Sequence, residues 1–443
     1  MNISEIRKIL NSRMRDAKRS MGQNFLIDKN FASWVVSEIE ISLCERIIEI
    51  GPGLGALTGA LVETGREVLA LELDRDWAAR LRETFREDNF ILIEGDAMDF
   101  DLRKLWDGGA TVLVGNLPYN VSTALLAKFA EPLSPVREMV VMVQNEVADR
   151  IVAGPGTRAY GAYSLALQLD WHVEKLRVLG PENFYPRPKV HSAVVRLRRK
   201  ADTEILRCRR SWLRKLVRAG FQQRRKQLKK LLPVASERVI DFLESIGLPI
   251  TSRAENLTLE NWVELANRMG ESVSVLGGDE ILDVVDGKDE IVGRAERSHV
   301  HAEGLRHRAV HILIENEVGE LFLQKRSPWK DINPGVWDSS AAGHVSAGED
   351  YDRAAMRELE EELGVRDMEL RRLGKLLPCE ATGNEFIQVY RGSREGRFKL
   401  EEMEISCGAF FPRGQIREWL VQGQEDFSPV FRLCWELFND CAP

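Results

Sequence analysis

"IEIGPGLGALT" occupies residues 48–58, and its reading decides the fold of the first half of the chain. A short apolar run ends in Gly51, Gly53 and Gly55 and opens into apolar residues at helical spacing. Glycines there let the backbone turn tightly and approach a ligand closely. Outward from this stretch, "RIIEI" (46–50), "EVLALEL" (67–73), "FILIEG" (90–95), "TVLVGN" (111–116) and "EMVVMV" (138–143) read as buried strands separated by helical patterns. Such alternation implies a parallel sheet covered on both faces. Glu72 ends the second run, 21 residues after Gly51, where a carboxylate can accept hydrogen bonds from both hydroxyls of a ribose. A dinucleotide-binding fold has a similar turn and a similar acid, so these residues alone leave the nucleotide-type cofactor open.

"GNLPYN" (115–120) follows the fourth run and narrows the chemistry. An exocyclic amine on a base is a poor nucleophile because its lone pair is delocalised into the ring. The side-chain oxygen of Asn116 and the carbonyl of Leu117 would accept its two N–H hydrogens, drawing the lone pair out of conjugation and aiming it at a methyl donor. Pro118 fixes the turn, and Tyr119 offers a face for stacking. Positioning and hydrogen bonding then carry most of the work, without a strong general base.

In these motifs the chain resembles the ribosomal RNA adenine dimethyltransferases, over roughly residues 15–268. "KRSMGQNFLID" (18–28), "GPGLGALT", "LELDRD" (71–76), "EGDAMDFD" (94–101), "NLPYN", "FYPRPKVHSAVVRL" (184–197) and "RAGFQQRRKQLKKLL" (218–232) occur in the family's order. The resemblance implies a Rossmann-like class I methyltransferase with a C-terminal helical subdomain. It implies that Asn24, Leu26, Gly51, Gly53, Glu72, Asp96 and Asn116 contact S-adenosylmethionine, with Asp96 on its adenine amine. Asn116, Leu117 and Tyr119 would hold the target adenine, with Phe184 stacking on its other face. "GPGLG" and the long basic helical region favour the group acting on small-subunit rRNA over the sibling group acting on the large subunit.

Charge points to an RNA partner independently. Residues 271–443 hold 21 Lys+Arg and 34 Asp+Glu, a net of −13, which leaves +6 for residues 1–270. From Arg207 to Lys230 there are 11 Lys/Arg and no Asp or Glu. Arg218, Arg224, Arg225, Lys226, Lys229 and Lys230 are the candidate phosphate contacts, supplying affinity without sequence preference. No apolar run is long enough to span a membrane, the N-terminus has no signal-peptide core, and the six cysteines form no CxxC pair. A cytoplasmic protein is expected.

The second half carries "GHVSAGEDYDRAAMRELEEELGV" (343–365), which fits the Nudix box at every fixed position from Gly343 to Val365. On a helix Glu358, Glu361 and Glu362 share one face, a clustering that destabilises unless compensated. A divalent cation with oxygen ligands, Mg²⁺ or Mn²⁺, would compensate it. Arg357 is expected to pair with Glu349, and Glu361 or Glu362, or a metal-bound water, to serve hydrolysis of a diphosphate-containing small molecule. The order "HRAVHILI", "LFLQKRS", "GVWDSSAAGHV" and box resembles the Nudix subgroup near the isopentenyl diphosphate isomerases. Ala342 stands where those enzymes have a cysteine, and His307 and His344 match metal-ligand positions in them.

The expected organisation is a methyltransferase core (1–200), a helical RNA-binding subdomain (201–269), a linker (270–279) and an α/β/α Nudix sandwich (280–443). The expected activity is adenine dimethylation of small-subunit rRNA on the immature ribosomal subunit, joined to a Nudix phosphohydrolase. The alternative is an rRNA methyltransferase and ribosome-assembly factor whose Nudix half binds without turnover.

Overall fold

The computed structural model describes residues 24–106, 109–270, 280–423 and 425–440. Residues 18–23 of the N-terminal signature and 271–279 of the expected linker lie outside them. The described residues form two compact units: the first runs to Ala266, and the second takes in Arg207–Arg210 and the chain from Asn267 onward.

The first unit is built on seven strands: β1 (Arg46–Ile50), β2 (Glu67–Glu72), β3 (Phe90–Glu94), β4 (Thr111–Asn116), β5 (Val136–Gln144), β6 (Trp171–Leu179) and β7 (Ser192–Arg199). Their order is β3–β2–β1–β4–β5–β7–β6. The five runs expected as strands are parallel. Most of their side chains are buried on both faces: Ile48, Ile50, Leu69 and Leu113 enter one apolar cluster, and Ile47, Val68, Val112 and Val114 the other. β6 and β7 depart from the expected all-parallel sheet, because β7 inserts antiparallel between β5 and β6. At the edge, β6 reads "WHVEKLRVL", with charged residues exposed between apolar ones, which protects an open strand edge.

The strand order reverses between β1 and β4, the place where open parallel sheets bind ligands at their carboxyl ends. The Gly51 turn, Glu72 and Asn116 all sit at those ends. Gly115 allows β4 to lie close to β1 there, since a Cβ on it would fall 2.7 Å from the Ile50 carbonyl oxygen.

After β7 the chain turns helical, with helices Arg210–Phe221, Ser236–Ser245 and Leu259–Met269. Their packing hinges on Trp262, fully buried, whose ring sits against Gly220. Tyr160 ties this region to the core by donating its hydroxyl to the Leu257 carbonyl at 3.1 Å.

The second unit begins with a hairpin, β8 (Ile281–Val285) and β9 (Ile291–Glu296). Its sheet contains β10 (His307–Glu315), β11 (Leu321–Arg326), β12 (Trp337–Asp338), β13 (Ala341–His344), β14 (Arg371–Leu376), β15 (Glu385–Ser393) and β16 (Ile405–Phe411). The path is β12–β11–β10–β15–β14, with β13 also on β10 and β16 on β11. Only β10 and β15 run parallel within it. Val310, Ile312 and Ile314 of β10 face helix Tyr351–Leu363 through Ala354, Ala355 and Leu359. On the other side, helices Arg413–Gln422 and Pro429–Asp440 contribute Trp419 and Phe431 to a row of rings with Trp337 and Phe411. This is the expected α/β/α sandwich. Asp350 caps the helix start by accepting from the Arg353 N–H, and Gly364 ends it in the left-handed conformation.

A Cβ at Gly220 would lie 2.6 Å from Trp262 Cη2 and 3.2 Å from Leu228 Cδ1. In an unpacked helix Gly→Ala gains about 1 kcal/mol. Overpacking a rigid core costs roughly 1–3 kcal/mol and should win here. Gly220→Ala is therefore expected to lower the urea midpoint of the first unit's unfolding, and an unchanged or raised midpoint would contradict this.

Candidate functional site

A cleft of about 1010 Å³, open to solvent, lies at the carboxyl ends of β1, β2 and β4. Asn24, Leu26, Gly51, Gly53, Glu72, Asp96, Asn116, Leu117 and Tyr119 all line it. Gly51 and Gly53 have φ of +66° and +57°, backbone that side-chain-bearing residues rarely adopt. Glu72 is buried, and its two carboxylate oxygens accept from the Gly53 N–H at 2.9 Å and the Asp74 N–H at 2.8 Å. Burial pushes its carboxyl above the ordinary range, against the pull of those hydrogen bonds. One carboxylate oxygen of Asp96 accepts from the Met98 N–H at 2.8 Å.

The Asn116 side chain has its orientation fixed. Its Nδ2 donates to the Asn24 carbonyl at 2.7 Å. A carbonyl only accepts, so the amide nitrogen must point there and Oδ1 is the end left for a ligand. Leu117 donates its N–H to the Met142 carbonyl at 3.1 Å and buries its side chain. The Tyr119 hydroxyl lies 2.5 Å from Ser192 Oγ.

Phe184 does not line the cleft; this departs from the stacking role expected of it. The two-residue strand Phe25–Leu26 pairs with Phe184–Tyr185 in the register Phe25↔Tyr185 and Leu26↔Phe184. Successive strand residues point to opposite sides. Phe184 therefore packs with Leu26 in the interior cluster, 1% exposed, while Tyr185 packs with Phe25, Leu54 and Trp77. Among the lining residues not singled out in the sequence are Phe25, Trp77 and Glu49. Glu49 was the detectable one, an acid inside an apolar strand run. It is 1% exposed, accepts from Thr58 Oγ1 at 2.7 Å, and burial pushes its carboxyl up to about 8.

Of the six candidate RNA-binding residues, Arg224 is paired with Glu255 at 2.8 Å. Arg218, Arg225, Lys226, Lys229 and Lys230 carry no ion pair among the described residues, and all but Lys229 are exposed.

In the second unit another cleft is lined by Glu358, Glu361 and Glu362 together with Arg357, His344 and Glu385. Arg357 is the hub. It donates to both oxygens of Glu349 at 3.1 and 3.0 Å, to Glu358 at 2.7 Å, to Glu361 at 3.1 Å and to the His344 carbonyl at 2.8 Å. Glu362 accepts from the Ala342 N–H at 3.0 Å and from Gln324 Nε2 at 3.3 Å. Burial pushes the Glu358 carboxyl up to about 7 and that of Glu362 up to about 8. Gly343 leaves the space that Glu358 fills, since a Cβ there would lie 2.1 Å from its carboxylate.

Beside this set His301, His307 and His344 bring ring nitrogens within 4.8 Å of one another. His307 Nδ1 donates to the Leu305 carbonyl at 2.9 Å, which turns its Nε2 toward the cluster. The Nε2 atoms of His301 and His307 are buried without a hydrogen bond. Glu385 lies 3.3 Å from His307 Nε2 and 3.5 Å from His344 Nε2, and Glu280 lies 3.4 Å from His344 Nδ1. His301, Glu280 and Glu385 were not read from the sequence, because they come from separate elements with no common spacing.

The first unit's strand order and its glycine-turned cleft define a class I S-adenosylmethionine-dependent methyltransferase. The chain belongs to the ribosomal RNA adenine dimethylase family, whose model matches residues 14–271, and it carries a NUDIX domain over residues 305–431. Ribosomal RNA small subunit methyltransferase A of Cupriavidus metallidurans is 40% identical over 262 residues, 57% of this chain and 93% of that protein. Its namesake in Thiobacillus denitrificans is 42% identical over 249 residues, 56% of this chain and 96% of that protein. Among solved structures, the MutT protein from Methanosarcina mazei Go1 is 28% identical, covering 30% of this chain and 94% of that one, with a TM-score of 0.27. No helix among the described residues is long and apolar enough to cross a membrane.

Glu49 makes stability depend on pH. The folded protein keeps until about pH 8 a proton that the unfolded chain releases near 4.5, so stability is lost as pH rises through that window. Glu49→Gln cannot ionise. Without ligand it should gain on the wild type, by on the order of a few kcal/mol, between about pH 5 and about pH 9. Urea midpoints at the two pH values check this, and a gap that does not widen counts against it.

Proposed function

We propose that this chain dimethylates the N6 amine of two adjacent adenosines in a hairpin near the 3′ end of small-subunit (16S) rRNA. The observation that carries the reading is the Asn24–Asn116 hydrogen bond, which leaves Asn116 Oδ1 as an acceptor beside the glycine turn. Glu72 would take the ribose hydroxyls and Asp96 the adenine amine of the cofactor, each through oxygen lone pairs its present bonds leave over. Bound S-adenosylmethionine supplies a methyl on a sulfonium sulfur. Asn116 Oδ1 and the Leu117 carbonyl would hold the target amine's hydrogens while its lone pair forms the new N–C bond, the methyl's bond to sulfur breaks to leave a neutral thioether, and the amine's proton leaves to solvent. Arg218, Arg225, Lys226, Lys229 and Lys230 supply phosphate contacts, and the target is the immature small subunit in the cytoplasm.

The second half, on this reading, is a Nudix phosphohydrolase for a diphosphate-containing small molecule. Two donor sets fit metal ions. Glu358, Glu361 and Glu362 offer hard oxygens suited to Mg²⁺ or Mn²⁺, and the clustered ring nitrogens of His301, His307 and His344, beside the Glu385 carboxylate, suit a metal that prefers imidazole. A divalent cation there polarises a diphosphate and lowers the pKa of water. Glu361, 57% exposed in its side chain, can take the proton of the attacking water. Ala342, in place of the isomerases' cysteine, leaves hydrolysis as the chemistry this cleft supports.

On undermethylated small subunits, Asn116→Ala should lower methyl transfer on the order of a hundredfold; normal transfer would overturn the catalytic assignment. In a separate assay, Mg²⁺-dependent phosphate release from a panel of diphosphates should disappear in Glu361→Gln and Glu362→Gln. A wild-type chain inert on the whole panel makes the second half a binding module.

A further inference from the structure

The Tyr119 hydroxyl makes a short bond inside the protein. Its partner is Ser192 Oγ, 2.5 Å away and fully buried. Ser192 opens β7, whose backbone is held on both sides at that position, by Gln144 of β5 and Leu179 of β6. The neighbouring His191 carbonyl accepts from the Asn145 N–H at 3.0 Å, so the anchor is fixed at its preceding residue too. Tyr119 sits in the turn after β4, with two rotatable side-chain bonds and a face at the cleft. A hydrogen bond from the ring's far end to a rigid strand fixes both rotations. It also joins the NLPYN turn to the segment Tyr185–His191, which runs directly into Ser192.

We infer that Ser192 is a positioning residue for methyl transfer: through its hydrogen bond it sets the tilt of the Tyr119 ring, and so the plane in which the target adenine lies against Asn116. This rests on the reading above that Tyr119 is the stacking platform. The phenol acts as a tether and takes no part in proton transfer. Burial, which raises its pKa, keeps it protonated. The same nitrogen must be methylated twice, and the second transfer has to place a bulkier secondary amine with one hydrogen fewer to guide it. Loosening of the platform should therefore fall hardest on the second step.

The test compares full-length Ser192→Ala, Tyr119→Phe, the double variant and Ser192→Thr on undermethylated small subunits with S-adenosylmethionine. Both single variants remove the same bond by different atoms. Each should lower kcat on the order of fivefold, as expected for one neutral hydrogen bond, with cofactor affinity unchanged. Monomethylated adenosine should accumulate in both. The double variant should be no worse than either single, and Ser192→Thr should restore the rate and the product ratio. Wild-type kcat and product ratio in both single variants, or a double variant whose loss is the product of the two, would overturn the inference. Tyr119→Ala separates the two readings. If it transfers normally, the stacking platform itself is wrong. If it is inactive while Tyr119→Phe and Ser192→Ala behave as wild type, the platform stands and the tether falls.

Discussion

Glu72 ends β2 with its carboxylate out of water, where each oxygen needs a donor. One donor is the Gly53 N–H in the turn after β1, and the other is the Asp74 N–H just beyond β2. The group that would read the ribose thus also holds the glycine turn in its left-handed conformation. Glu49, one strand over, meets the same constraint differently: it stays protonated and takes a single bond from Thr58. Burial raises both carboxyls at this end of the sheet, each raises the cost of charging the other, and two backbone donors oppose that rise at Glu72 where Glu49 has Thr58. The cleft is therefore pre-shaped by the chain's own hydrogen bonds.

The second unit puts more carboxylates into less space and relies on Arg357. Its planar fork reaches Glu349, Glu358 and Glu361 at once and also accepts the direction imposed by the His344 carbonyl. A lysine, with a point charge, has no geometry for this. Glu362 lies beyond its reach and turns to the Ala342 N–H and Gln324. That division explains why a glutamate triplet is tolerable in a helix: Glu360 faces outward to Arg366, Glu361 toward the open cleft, and only Glu362 needs the strand behind it.

Local pattern carried the reading of the sequence well wherever the chemistry was local. The five parallel strands were legible because runs such as Val112–Val114 are apolar on both faces, and helix Tyr351–Leu363 because its cap, spacing and terminal glycine agree. What stayed hidden depends on pairing across distance. β7 inserts between β5 and β6 through backbone hydrogen bonds that leave no mark in composition. Asn116 finds the Asn24 carbonyl 92 residues away. Phe184 was assigned to the cleft by motif, yet a two-residue strand pairing turns it inward, and a slip of one position would have exposed it. His301 and Glu385 join His307 and His344 only because β10, β13, β15 and helix Arg297–Ala302 converge.

The two halves carry opposite charges, and on the reading proposed above each would hold phosphate. The helical region of the first leaves Arg218, Arg225, Lys226 and Lys230 exposed and without acidic partners, which suits a long polyanion that must bind and leave as salt and shape dictate. In the cleft of the second, Arg326 is held by Asp338 at 3.2 Å, Arg297 by Asp331 at 2.9 Å, and Lys330 by Glu404. Cations neutralised in this way attract an anion weakly, and the surplus of carboxylates repels it. On the proposed Nudix reading, such a cleft would become receptive to a diphosphate once divalent ions reversed the sign of its field, so metal occupancy would control entry as well as chemistry. An extended RNA backbone, which needs many unpaired cations in a row, would meet carboxylate-paired ones there. The net of −13 in residues 271–443 and of +6 in residues 1–270 fits that proposed division, with one phosphate site permanent and the other conditional on metal.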